Sequence, residues 1–408
     1  MQNLSTLPEK LQLLEWIGKQ KDRSIYNVNA HLHTPYSFSA FKDISEIFQL
    51  AKEQGVRILG INDFYSTDGY EEFSYLARVN NIFPLFNIEF IGLNQKDKEK
   101  GLRLNDPGNP GRVYLSGKGL FFPPKMDEPY ASQVNEIKQE IITRVGQMMD
   151  KTNVLLKDIG ADIVLSMREI FEKYAVDLVR ERHIAKALRI QVFEKYSSLD
   201  DRAVFFEKLY GQAPKVYMGN NAAVENEIRN MLFKAGKKAF VEENTKAFLP
   251  IDLIKKMILH AGGIPTYPLL ADNLEGEYTA FERNKEALLE ELKARNVHSI
   301  EFIPNRNDLR LLKEYAGFFW KNEVLVTFGT EHNSPDMIPM KVETRGHIDL
   351  DDELKELSYK GACVVAAHQY LKSKGEEGYV KESGERNGNS LQPFVELGHG
   401  VISKYFAE

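Results

Sequence analysis

The sequence predicts an α/β fold, a barrel of alternating strands and helices interrupted by a helical insertion. Three observations carry that prediction. Short apolar runs end repeatedly in a polar group, helical stretches separate them, and a long central stretch shows helical periodicity alone. A chain of 408 residues can hold one large barrel with an insertion, or two ordinary domains.

Within a first segment, 1–23, Leu7, Leu11, Leu14 and Ile17 recur at helical spacing, which predicts a short amphipathic helix before the first strand. Tyr26 to His31, Val56 to Asp63 and Phe83 to Phe90 are rich in β-branched and aromatic residues and read as strands. Strands that deliver polar side chains at their C-terminal ends describe the rim of a (β/α) barrel, where chemistry is gathered from distant parts of the chain. Between 94 and 130 the pattern breaks into LNDPGNPGRVYLSGKGLFFPP, a long Gly/Pro-rich loop, one reading of which is a lid, with a single short strand at Arg112 to Leu115. Its SGKG lacks the Ser or Thr after Lys, and the upstream Gly, that a phosphate-cradling loop requires.

Residues 131–250 carry helical periodicity, as in VNEIKQEIITRVGQMM and DLVRERHIAKAL, and form the insertion. Strands resume at Gly263 to Tyr267, Val297 to Ile303 and Val324 to Gly329, so the barrel comprises 24–130 and 251–350. An extension, 351–408, holds a helix around Asp352 to Lys374, a polar Gly-rich stretch and a final apolar segment.

Composition narrows the function. A net charge of −6 without basic runs argues against a general nucleic-acid binder, which needs clustered Lys and Arg. Cys363 is the single cysteine, which excludes an internal disulfide and a zinc ribbon and fits a reducing compartment. The N-terminus mixes charges through its length, and no later run approaches a membrane span. A cytoplasmic protein with a small-molecule substrate is expected.

The sharpest feature is His31-Leu32-His33, because alternate residues of a strand point to one face and two imidazoles there can share a cation. The bland alternative is a hydrogen-bonded histidine pair, but two imidazoles on one inward face would repel when protonated. Asp63 and Glu89 end strands in the same relative place. Converging carboxylates and imidazoles suit Zn²⁺, Mn²⁺ or Fe²⁺, as one or more ions. Asp63 could instead cap the next helix. In TFGTEHNSP, an apolar strand runs into three polar residues, of which only some can face one cavity. Glu331 is the expected metal ligand there, with His332 or Asn333 addressing substrate. His260 at a helix C-terminus reads as structural, His368 as buried in a helix, and His298 and His347 as surface residues.

These residues, in this order, resemble the PHP family, named for polymerase and histidinol phosphatase, over roughly 24 to 92 and 257 to 335. NAHLHTPYS is similar to its opening HxH segment, GINDFYSTDGYEEF to its Thr-Asp-His-Asn segment, and NIEF to its metal-bridging glutamate. GGIPTYP resembles a strand normally ending His-Pro, GTEHN the closing Gly-Ser-Asp-x-His, and RERHIAKAL a basic helix near substrate in the phosphoesterase branch. The resemblance implies a distorted (β/α)7 TIM-like barrel with up to three divalent metals.

The departures remove ligands: Phe38 stands for an Asp, Phe64 and Tyr267 for His, and Asn333 for the final His, while Glu331 replaces an Asp. What survives is largely one metal's set, His31, His33, Glu89 and Glu331, with Asp63 nearby and His183 or His332 as further candidates. The expected function is a PHP-type, phosphoesterase-like hydrolase that uses a metal-activated water on a small polar or sugar-like substrate, with Glu89 or Asp63 accepting a proton. Arg180, Arg182, His183 or Lys118 would hold an anionic group, Tyr267 would line the substrate site, and the aromatic replacements would form an apolar wall. For Arg180 and Arg182 the alternative is a solvated helix face. Two other classes stay open: a non-catalytic or weakly catalytic ligand-binding relative, and a single-metal sugar isomerase, lyase or lactonase.

Overall fold

A computed structural model describes residues 4–20, 24–272 and 278–407, so residues 1–3 and 21–23 of the 1–23 segment lie outside the described residues. Seven strands form the barrel wall: β1 (Asn27–Leu32), β2 (Val56–Phe64), β3 (Phe83–Leu93), β4 (Arg112–Lys118), β5 (Ile264–Leu269), β6 (Ser299–Phe302) and β7 (Leu325–Phe328). They neighbour one another in that order, and a parallel bridge between Leu32 and Glu331 brings the end of β7 back to β1. The expected α/β class with a distorted, TIM-like barrel is what the chain adopts.

The distortion lies in β4. It runs antiparallel to both β3 and β5, with Glu89 opposite Ser116 and Ser116 opposite Thr266, whereas the other neighbours pair in parallel. The segment expected as a long loop with a strand at Arg112 to Leu115 therefore contributes a longer strand that reaches Lys118. The Gly and Pro residues that flank it hid it, because they mark turns at both ends rather than an unstructured stretch. β3 likewise extends beyond Phe90 to Leu93, where it also pairs with Leu249–Pro250.

Helices Ile44–Glu53, Tyr70–Val79, Lys285–Ala294 and Leu309–Lys321 cover the outside of the wall. Ile44, Ile47, Phe48 and Ala51 form the buried stripe of the first, and Asp43 caps it by accepting from the Glu46 amide. The apolar side chains Val28, Ala30, Ile58, Leu85, Ile264 and Leu325 pack with Cys363, Val364 and Ala367 of helix Asp352–Ser373. This helix closes the end of the barrel opposite the polar rim. Gly361 allows the approach, because a Cβ there would lie 2.0 Å from the Val326 carbonyl oxygen.

The stretch expected as an insertion is helical, from Tyr130–Asp158 through Glu181–Lys195 to Asn221–Ile228, which continues into a π-helical turn at Arg229–Phe233. It buries its own apolar cluster, including Met148, Leu188, Phe206 and Leu232. The tail folds as two helices, Asp352–Ser373 and Gln392–Ala407, packed together with Gly398 against the backbone of Cys363. Among the described residues no helix is long and apolar enough to cross a membrane.

Candidate metal centre

His31 and His33 leave β1 on the same face, and Glu89 on β3 points at them. The two Nε2 atoms are 3.1 Å apart, and Glu89 Oε2 lies 3.6 Å from His31 Nε2 and 3.1 Å from His33 Nε2. Ligands at about 2.0–2.1 Å from a tetrahedral ion stand roughly 3.3 Å from one another, so this triangle matches one face of such a shell. Among the described residues it is the one group of three His, Cys, Asp or Glu whose donor atoms lie within 4.8 Å of each other. Glu89 Oε2 is buried and carries no hydrogen bond, as a ligand atom awaiting a cation would.

Both histidines are fixed from behind. His31 Nδ1 contacts Glu301 Oε1 at 2.9 Å, and His33 Nδ1 contacts Ser37 Oγ at 3.2 Å. Outer partners of this kind set the tautomer and aim Nε2 inward. Asp63, a candidate proton acceptor from the sequence, instead pins the β1 loop. It accepts the Thr34 amide at 2.7 Å, the Thr34 hydroxyl at 2.6 Å and the Ser37 hydroxyl at 2.6 Å. These three bonds lower the pKa of its carboxyl, but burial outweighs them and pushes it up.

Burial governs the electrostatics. It pushes the Glu89 carboxyl up to about 8, with Glu331 and Glu301 adding to the rise and His31 opposing it. It pulls the His33 imidazole down to about 4, against Asp63 and Glu331. A divalent cation within the triangle would reverse the preference of Glu89, since it favours the carboxylate.

The other expected site residues divide. Glu331 is not part of the close triangle: Arg306 Nη2 pairs with its Oε2, which also accepts Asn333 Nδ2 at 2.9 Å. It faces the rim from a left-handed backbone (φ 62°), as does the next residue, His332 (φ 56°). That backbone turns His332 away from the cavity, where it stacks on Phe41 and contacts Thr330 Oγ1 at 2.8 Å and the Ile338 carbonyl at 3.0 Å. With both ring nitrogens engaged, His332 is a poor substrate contact. Tyr267 is buried and donates to Glu282 Oε1 at 2.7 Å. His183 caps its own helix, accepting the Arg180 amide at 2.9 Å, and lies edge-on to Phe38.

Arg180 and Arg182 are not a solvated helix face. Arg180 sits over Phe64, which stacks on His33, and Arg182 donates to Asn226 at 3.2 Å. The phenyl ring of Phe64 thus forms the apolar wall expected from the aromatic replacements. Lys118, expected as an anion holder, is fully buried and pairs with Glu301. His298, expected at the surface, is half-buried beside Asn296.

Above the triangle opens a cleft of about 340 Å³ whose wall includes Glu89, Asp106, Tyr114, Arg306, Glu331 and Asn333. Sequence reasoning missed Arg306 and Glu301. Arg306 lies in a short turn with no periodic signal, but Glu301 did have one: Ile300-Glu301-Phe302 repeats the Ile88-Glu89-Phe90 pattern that singled out Glu89.

Imidazoles and carboxylates thus gather at the rim of a seven-stranded α/β barrel with one reversed strand. The chain matches no known sequence family and no curated protein. Solved structures share the fold at low identity. One is a Bifidobacterium adolescentis ATCC 15703 protein provisionally described as a metal-dependent phosphoesterase, 14% identical, with a TM-score of 0.52 over 82% of this chain and 96% of that one. Another is an amidohydrolase from Chromobacterium violaceum with bound sulfate and no metal, 16% identical, with a TM-score of 0.50 over 81% of this chain and 96% of that one.

Proposed function

We propose that this protein is a metal-dependent hydrolase, phosphoesterase-like in its reaction, that acts on a small polar or sugar-like substrate at the His31–His33–Glu89 centre. The observation that carries the reading is the convergence of two Nε2 atoms and an unpaired buried carboxylate oxygen at separations of 3.1–3.6 Å. Softer imidazole and harder carboxylate donors together suit Zn²⁺, Mn²⁺ or Fe²⁺. Such an ion supplies Lewis acidity, lowering the pKa of a water or polarising the scissile group.

The chain's own groups do the rest. Arg306 and Asn333, on the cleft wall, bind an anionic or polar substituent, and Phe64 shields the inner side from water. Burial works against ionisation of Glu331, but Arg306, His31 and His33 outweigh it and hold its carboxyl below the usual range. Glu331 is therefore charged at neutral pH and can orient a hydroxyl at the cleft edge. Asp63 acts as a positioning residue that fixes the loop behind His33.

The three-ligand set also favours a second reading, a single-metal sugar isomerase, lyase or lactonase, since a paired-metal clamp on both the attacking and leaving oxygens needs more ligands than the triangle has. The test is a panel of phosphate esters, lactones, amides and aldoses, assayed on metal-stripped protein and after adding back each ion. Metal-dependent release of phosphate supports the leading reading; turnover confined to lactones or aldoses replaces it with the second.

A further inference from the structure

Two carboxylates flank the triangle, Glu331 on the cleft wall and Glu301 buried behind His31, and each already has a cation supplied by the chain. Arg306 pairs with Glu331, and Lys118 pairs with Glu301. The second pair is the unusual one, because Lys118 is fully buried in the barrel interior rather than on its rim. Its ammonium also reaches Asn62 Oδ1 at 3.1 Å and the Ala30 carbonyl at 3.4 Å, so all three of its donors have acceptors. Glu301 in turn accepts Ser116 Oγ at 3.2 Å and contacts His31 Nδ1 at 2.9 Å. β4 and β6 thus carry a continuous chain from Lys118 through Glu301 to a metal-ligand imidazole.

A lone ammonium or carboxylate at this depth would cost several kcal/mol, and such groups persist when paired and fully hydrogen-bonded. The pairing has a second effect. Glu301 could serve a second divalent ion beside His31 only by giving up Lys118, which would leave a buried ammonium against a new dication. An acceptor charged by a fixed neighbour also holds His31 as the Nδ1–H tautomer and directs the Nε2 lone pair into the triangle.

We propose that Lys118 is a resident cation of this centre: through Glu301 it positions His31 for the metal and limits the site to one divalent ion. The proposal rests on the metal-centre reading above. Neither Lys118 nor Glu301 touches the ion; both are positioning residues.

The experiment is titration of the metal-stripped full chain with Zn²⁺ and Mn²⁺, with stoichiometry from native mass spectrometry and affinity from calorimetry. Wild type should saturate at one ion, and two or more would overturn the one-ion limit. Glu301→Gln should weaken binding by about 10- to 100-fold, the usual effect of losing an outer-shell partner. The Lys118→Met, Glu301→Gln double variant removes both charges together and is the one to use if the single variant fails to fold. It should retain one ion at similarly reduced affinity and an altered Co²⁺ absorption spectrum. Wild-type affinity and spectrum in the folded double variant would overturn the positioning role. No binding by wild type would sink the metal centre itself, an outcome distinct from binding that ignores Glu301.

Discussion

His31 Nε2 and His33 Nε2 face each other at 3.1 Å inside a fully buried pocket, with Glu89 Oε2 at 3.1 Å from the second of them. Two ring nitrogens at that separation share a proton in the bare site, with Asn62 Nδ2 also 3.0 Å from the first, and would share a divalent cation with Glu89 once one binds. Replacing His31 or Glu89 by Ala should therefore lower bound metal to a small fraction of an equivalent, measured by elemental mass spectrometry. His260→Ala, whose imidazole contacts Asp127 at 3.4 Å far along the chain from the triangle, should leave metal content unchanged. Equal content in all three variants would remove the site assignment.

Metal removal should also lower stability. A ligand at about 100 times its Kd stabilises the folded state by about 2.7 kcal/mol. Thermal unfolding in chelator should begin several degrees earlier than with added ion, and His33→Ala should show no difference between the two conditions.

Arg306→Gln removes the guanidinium that faces the cleft and leaves Glu331 without its ion pair. A charge-assisted hydrogen bond contributes about 1.5–3 kcal/mol, so kcat/KM on an anionic substrate should fall roughly 10- to 100-fold. Most of the loss should appear in KM. A neutral substrate turned over equally well by both proteins would assign Arg306 to substrate charge.

Gly329 follows β7 directly, beside His31, and a Cβ there would lie 2.2 Å from His31 Cβ. Gly329→Ala must push β1 away from β7, a strain of about 1–3 kcal/mol. Lower unfolding temperature and weaker metal binding should appear together, and a stable variant with wild-type metal affinity would contradict the packing described.

Away from the centre, burial pushes the Glu282 carboxyl up to about 8, outweighing its bonds from Tyr267 and the Ala271 amide. In the unfolded chain the same group ionises near about 4.3, so between those values the folded state binds more protons. This contribution to stability is complete below the unfolded pKa, declines as pH rises, and is gone once pH passes the folded pKa. Denaturant unfolding followed across that window should show the decline, and Glu282→Gln should flatten it.

Much of this architecture could be read from the residues, and the exceptions share a cause. Strands β1, β2 and β3 announce themselves because each is an apolar run with one polar terminus, and that terminus is where a parallel barrel gathers side chains. β4 was only half legible, since its Lys118 looks like a loop cation until the reversed strand carries it inside. The roles expected of Glu331 and His332 shift for a backbone reason: two consecutive left-handed residues break the alternation on which any assignment of facing depends. Arg306 belongs to a short 3₁₀ turn, Pro304–Arg306, whose direction no periodicity encodes.

The matching of Glu301 by Lys118 and of Glu331 by Arg306 leaves Glu89 as the carboxylate of this centre without a cation from the chain. With burial pushing its carboxyl up to about 8, Glu89 is mostly neutral in the bare pocket, whereas a divalent ion held by two neutral imidazoles and that one carboxylate leaves surplus positive charge. Loading therefore gives the floor of the cleft a positive charge that the bare pocket lacks. An anionic substrate meets an attractive site only after the metal has arrived, so the order of addition is written into the charge count rather than into any moving part.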